Sequence, residues 1–192
     1  LTLGPIQFTI PAGALYNTTY DFIMGDKGNG QYVIGAGYVP LQRHMQLNWT
    51  LDSIQIPEVG WFLWEADHKG NKSAITGKRE GDVVIFETRS TGTYELDQDL
   101  QKPDVDIVAQ GASSRPNSSF KQITIRVHDD KTGIERYSAR IDGEFARIDF
   151  DYKKELLKVI VPKDIPAGNH ILRVVVIDGV GNTTVEEYDI IL

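Results

Sequence analysis

A chain of 192 residues with 20 basic and 27 acidic side chains, net charge −7, is short for two large domains. It is long enough for two sandwiches of roughly 90–100 residues each, and the scattered Lys and Arg argue against nucleic acid as a partner. Without cysteine there is no thiol catalysis and no Cys-type zinc or iron–sulfur site, and no apolar run approaches the ~18 residues of a membrane-spanning helix.

Period-two alternation dominates and helical periodicity is nearly absent, so the expected class is all-β. In the N-terminal half, Ile6, Phe8 and Ile10 alternate before Pro11-Ala12-Gly13-Ala14. Tyr20, Phe22 and Met24 predict a second strand, ending in the turn Gly25-Asp26-Lys27-Gly28-Asn29-Gly30. Met45, Leu47, Trp49 and Leu51 alternate with polar residues, and Phe62, Trp64 and Ala66 precede the turn Asp67-His68-Lys69-Gly70-Asn71. Residues 82–89 are apolar on both faces, which predicts a central strand covered on both sides. The polar stretch from Asp97 to Asp104, with Pro103, is the expected boundary.

The C-terminal half packs about seven short strands into ~90 residues, the density of an immunoglobulin-like sandwich. Val105, Ile107 and Ala109 come first; Ile123, Ile125 and Val127 then oppose Thr124, Arg126 and His128. Tyr137, Ala139 and Ile141 lead into Asp142-Gly143, a strong hairpin signal, followed by Ala146, Ile148 and Phe150. Three further strands cover about 156–161, 171–177 and the stretch with Tyr188, Ile190 and Leu192. The expected architecture is two tandem antiparallel β-sandwiches, residues 1–98 and 103–192, the second immunoglobulin-like.

Two turns read as a matched pair, Asp129-Asp130-Lys131-Thr132-Gly133 and Asp178-Gly179-Val180-Gly181-Asn182. Asp in such turns bonds its own backbone, and Gly or Asn supplies positive φ. Hard cations want clustered oxygens, so Asp129, Asp130 and Asp178 are the calcium candidates, with backbone capping the competing use. Asp97-x-Asp99, Asp104-x-Asp106, Asp149-x-Asp151 and the Asp26 loop also offer oxygens, but none has the spacing of a full calcium loop. The four histidines, His44, His68, His128 and His170, are isolated in sequence and read as surface residues rather than zinc ligands. No Gly-x-Ser-x-Gly occurs, and Gly111-Ala112-Ser113-Ser114 is loop composition. Neither catalytic residues nor a cofactor is expected.

Trp61 and Trp64 lie an odd number of positions apart, so on a strand they face opposite ways. One can be core. The other needs cover from the second domain, an absent domain, a stacked sugar ring or an oligomer partner, and Trp61 is the candidate ligand contact. Asn-x-Ser/Thr triplets begin at Asn17, Asn48, Asn71, Asn117 and Asn182. They would be glycosylation acceptors in a eukaryotic secreted protein.

The order of signatures resembles a known family. Ile10-Pro11-Ala12-Gly13-Ala14-Leu15-Tyr16, Pro40-Leu41, Gly92-Thr93-Tyr94, Asp99 and Pro103 come first. Then follow Asp129…Gly133-Ile134, Tyr137, Ile141-Asp142-Gly143, Asp151-Tyr152-Lys153, Gly168-Asn169-His170 and Asp178…Gly181-Asn182. The run is similar to the β-sandwich region that accompanies lysostaphin-like zinc endopeptidases of Gram-negative envelopes. That family's zinc site uses a His, an Asp and a His-x-His, and this chain contains no His-x-His. The resemblance therefore implies a non-catalytic accessory module, periplasmic, outer-membrane-associated or extracellular, partnered with a peptidase domain, another envelope protein, peptidoglycan or a glycan. The start at Leu1, without Met or signal peptide, reads as a processed or truncated piece of something longer. A carbohydrate-binding module built on Trp61 is the alternative.

Overall fold

All strand pairings are antiparallel, and no helix occurs among the described residues. The computed structural model describes residues 1–16, 23–35, 39–51, 59–67, 69–112 and 121–192. Two compact units divide the chain, Leu1–Leu100 and Gln101–Leu192.

Unit 1 stacks two five-stranded sheets. One has the order β1 (Thr2–Leu3), β2 (Ile6–Thr9), β5 (Pro40–Thr50), β9 (Val83–Ser90), β8 (Lys78–Glu80). The other runs β3 (Met24–Asp26), β4 (Gln31–Ile34), β10 (Gly92–Gln98), β6 (Trp61–Ala66), β7 (Lys72–Thr76). Their facing side chains form the core: Ile6 and Phe8, then Met45, Leu47 and Trp49, then Val84 and Phe86, against Ile34, Leu63 and Tyr94. The order β2-β5-β9-β8 beside β4-β10-β6-β7 repeats the immunoglobulin pattern A-B-E-D beside G-F-C-C′, with β4 in the place of G. The chain crosses between the sheets at Gly77, over the Phe86 ring. A Cβ there would sit 2.6 Å from Phe86 Cδ1, which only glycine avoids.

The expectation that residues 82–89 are covered on both faces does not hold. Val84, Phe86, Thr88 and Ser90 are buried, whereas Val83 and Ile85 are half-buried. An antiparallel sheet needs only one covered face, and Ile85 lies between Asn48 and Lys78 on the other. Met24 of the second predicted strand is in β3; Tyr20 and Phe22 lie outside the described residues.

Unit 2 is a seven-stranded sheet folded over on itself. Its strands are β11 (Asp104–Ala112), β12 (Lys121–His128), β13 (Ile134–Ile141), β14 (Glu144–Asp151), β15 (Leu156–Ile160), β16 (Asn169–Asp178) and β17 (Thr183–Ile191). The order β11-β12-β15-β14-β13-β16-β17 is A-B-E-D followed by C-F-G, the constant-type immunoglobulin arrangement. Only Ala139–Ile141 of β13 pair with β14, at the Asp142-Gly143 hairpin, so the sheet bends there. The two end strands are tied by side chains: Thr184 Oγ1 donates to the Pro103 carbonyl (2.5 Å) and Tyr188 OH to that of Val105 (2.9 Å). Ile123, Ile125, Val127, Leu157 and Val159 face Ala139, Ile141, Leu172, Val174 and Val176 across the core. Most of the predicted alternation is the buried set, but Tyr137 is exposed, and so is Ala109, beyond a register shift after Ile107.

Candidate functional site

Among the described residues, one polar cluster closes a corner of unit 1 and one stands at each end of unit 2. In unit 1, the chain passes from β9 to β10 through Ser90-Thr91-Gly92-Thr93-Tyr94. Tyr94 OH donates to the carbonyl of Ser90, four residues upstream, at 2.7 Å. That bond is a tyrosine corner, placed between the E and F strands where immunoglobulin-like domains carry it. Glu65, on β6 and only 7% exposed, turns into the same corner. Its Oε1 accepts from Ser90 Oγ (2.5 Å) and Thr88 Oγ1 (2.9 Å) of the opposite sheet, with Tyr94 OH at 3.2 Å. A buried carboxyl demands donors. Here the hydroxyls of Thr88 and Ser90 supply them and stitch the sheets together, while the Tyr94 proton goes to the Ser90 carbonyl.

The two tryptophans face opposite ways, as their spacing predicts. Trp61 is half-buried and packs against the core. Trp64 points to the outer face, where Nε1 donates to Asp97 Oδ2 (3.0 Å). Its ring meets Phe62 edge-on at 4.9 Å, with Lys72 Nζ 5.7 Å from its centroid.

The calcium candidates stand at one end of unit 2. Asp129 Oδ1 accepts the amides of Lys131, Thr132 and Gly133. Asp178, 0% exposed, accepts Val180 and Asn182 amides on Oδ1 and Asn182 Nδ2 on Oδ2. Desolvation raises the Asp178 pKa above its ordinary value, the hydrogen bonds from Asn182 and Val180 pull it back down, and Asp129 adds a smaller upward push. Asp130 Oδ1 lies 2.8 Å from His128 Nε2, while His128 Nδ1 lies 2.9 Å from Glu155 Oε1. Both ring nitrogens thus face carboxylates, and the hydrogen bonds to Glu155 and then Asp130 raise the His128 pKa. These candidates are used for backbone capping and ion pairing.

The turns pair differently from the sequence reading. The match of Asp178…Asn182 is Asp67…Asn71 in unit 1, not the Asp129 turn. Asp67 Oδ1 accepts the amides of Lys69 and Asn71, and Oδ2 accepts Asn71 Nδ2 (2.7 Å), the same scheme residue for residue. Gly70 and Gly181 hold positive φ of 82° and 96° at equivalent places. Asn71 and Asn182, which begin two of the Asn-x-Ser/Thr triplets, are structural members of these turns. His68, Asn17, Asn117, Ser113 and Ser114 lie outside the described residues.

At the other end of unit 2, His170 is the second residue of β16 and is 8% exposed. Its Nε2 is 2.9 Å from the Pro166 carbonyl, again four residues upstream. Its Nδ1 is 2.6 Å from Asp142 Oδ2, and Asp142 Oδ1 accepts the Ile171 amide at 2.9 Å. The hydrogen bond to Asp142 raises the His170 pKa from its ordinary 6.5, with desolvation opposing, and His170 in turn lowers that of Asp142. Sequence reasoning placed His170 on the surface and used Asp142 only as a hairpin signal. The one available clue was Gly168-Asn169-His170 ahead of an apolar run.

No family model matches the chain, and a comparison with curated proteins finds no match.

Proposed function

We propose that this chain presents surfaces rather than reacting: a non-catalytic scaffold or recognition module accompanying a lysostaphin-like envelope peptidase. The main support is that several polar groups suited to catalysis, among the described residues, are committed to architecture. Asp67, Asp129 and Asp178 cap turns, and Glu65 accepts the hydroxyls of Thr88 and Ser90. His128 and His170 each face acceptors on both nitrogens, so while the rings are charged neither holds a lone pair for a base or a metal ligand. The expected setting is the periplasm, the outer membrane or the cell exterior, with a peptidase domain, an envelope protein or peptidoglycan as partner. Phe145 and Tyr152, each 70% exposed on unit 2, add apolar surface of the kind recognition uses. Carbohydrate stacking at Trp61 draws less support, because that ring packs against the core.

The test incubates the purified chain with peptidoglycan sacculi and with peptides, with and without a chelator. The expected result is co-sedimentation or partner capture without turnover. Chelator-sensitive hydrolysis would overturn the reading. Glycan binding lost in Trp61→Ala would establish the alternative.

A further inference from the structure

In unit 2 the segment between β15 and β16 walls a cleft of about 360 Å³, lined by Lys121, Val161, Pro162, Lys163, Ile165 and Leu192. The same segment carries Pro166, whose carbonyl meets His170. A carbonyl only accepts hydrogen bonds, so Nε2 must carry a proton. A carboxylate also only accepts, so Nδ1 must carry one too. Neither neutral tautomer satisfies both contacts.

We propose that His170 is a proton-dependent latch, holding the segment from Val161 to Gly168 against the Asp142-Gly143 hairpin only while its ring is the imidazolium. The hairpin side is well anchored. Asp142 takes the αL conformation (φ 50°), donates its amide to the Ile171 carbonyl (2.9 Å) and accepts the Ile171 amide. Of the charged groups around the ring, Asp142 is the one hydrogen-bonded to it, and the electrostatic influence on it is that of Asp142. Arg140, on the hairpin, is directed at the Gly143 carbonyl and over the Phe145 ring. Glu144 on the hairpin is exposed, and β17 places Ile190 opposite His170. Lys163 and Asp164 are the charged residues of the segment itself, and Lys163 lines the cleft.

Loss of the second proton leaves one nitrogen bearing a lone pair toward an oxygen, so one contact turns repulsive. Either the Pro166 carbonyl or the Asp142 carboxylate must move. Because the ring's pKa is raised, the latch is fully present below the ordinary histidine pKa and is lost as pH rises through the raised value. Asp142, whose pKa is lowered, sets the acid limit: its contribution is present above 3.8 and lost as pH falls through its own depressed value.

The test is an NMR titration of the full chain, reading the side-chain ¹⁵N signals of His170 and the methyl signals of Ile165 and Leu192. Below 6.5 both His170 nitrogens are expected to be protonated, and the Ile165 and Leu192 methyls to shift together with the ring as it titrates above that value. In Asp142→Asn, which keeps an oxygen for the Ile171 amide and tolerates positive φ, the titration and methyl shifts move together to lower pH. In His170→Phe the methyl shifts lose this step. A His170 ring already neutral below 6.5, or methyls that stay still while the ring titrates, would overturn the proposal. Both are read in the unmodified chain, so they stand even where a variant fails to fold.

Discussion

The two units close the same corner with different side chains. In unit 1, Tyr94 donates from a phenol to the carbonyl four residues back. In unit 2, His170 makes the bond of the same span from an imidazole nitrogen and adds a carboxylate on its other nitrogen. A phenol hydroxyl donates in one protonation state throughout the neutral range; an imidazole donates from both nitrogens only when charged. Equal architecture therefore carries unequal sensitivity to pH. The shared Asp67 and Asp178 turns make a second comparison, one built on a half-buried carboxyl and the other on a fully buried one.

The largest expected break comes at Glu65. Glu65→Ala leaves the hydroxyls of Thr88 and Ser90 facing an apolar gap between the sheets, and a loss of about 3 kcal/mol is expected. All three tryptophans, Trp49, Trp61 and Trp64, lie in unit 1, so their fluorescence during denaturant unfolding measures it. A loss below about 1 kcal/mol would mean the carboxyl is dispensable to the corner.

Next come the paired turns. Asp178→Ala strands the half-buried amides of Val180 and Asn182 and is expected to cost about 2 kcal/mol. Asp67→Ala lets water replace the lost bonds and costs about 1 kcal/mol or less. Equal losses in the two variants would show that burial does not set the difference.

Tyr94→Phe removes one hydrogen bond and leaves the Ser90 carbonyl short of a donor, a loss of about 1–2 kcal/mol that stays constant from pH 6 to 9. A loss that varied with pH would erase the contrast between the corners.

The smallest effect is the pH slope of unit 2. Its stability declines as pH rises through the raised His170 and His128 pKa values, by at most about tenfold in the unfolding constant per pH unit for each proton. His170→Phe is expected to remove the His170 share and leave that of His128.

Much of this fold is written in alternation. Ile123, Ile125 and Val127, or Met45, Leu47 and Trp49, point one way because every second residue is apolar, and each set is buried. Lys78-Arg79-Glu80 has no such pattern, so edge strand β8 was invisible, as was β7 with its mostly exposed residues. The turns were legible as turns, but the true partner of the Asp178 turn required the hydrogen-bond scheme. Glu65 sits in Phe-Leu-Trp-Glu-Ala, where a carboxyl reads as the solvent face. It is inward because Thr88 and Ser90, 23 and 25 residues later on the other sheet, offer it hydroxyls. His170 was illegible for the same reason: its partner Asp142 lies 28 residues earlier, on a different turn.

Hydrogen exchange at the two corners in one sample tests the contrast most directly, following Ile171 in unit 2 and Thr91, whose amide donates to the Val39 carbonyl, in unit 1. After correction for intrinsic base catalysis, protection at Ile171 should fall as His170 loses its proton while protection at Thr91 stays level. Parallel curves for the two amides across that range would contradict the account.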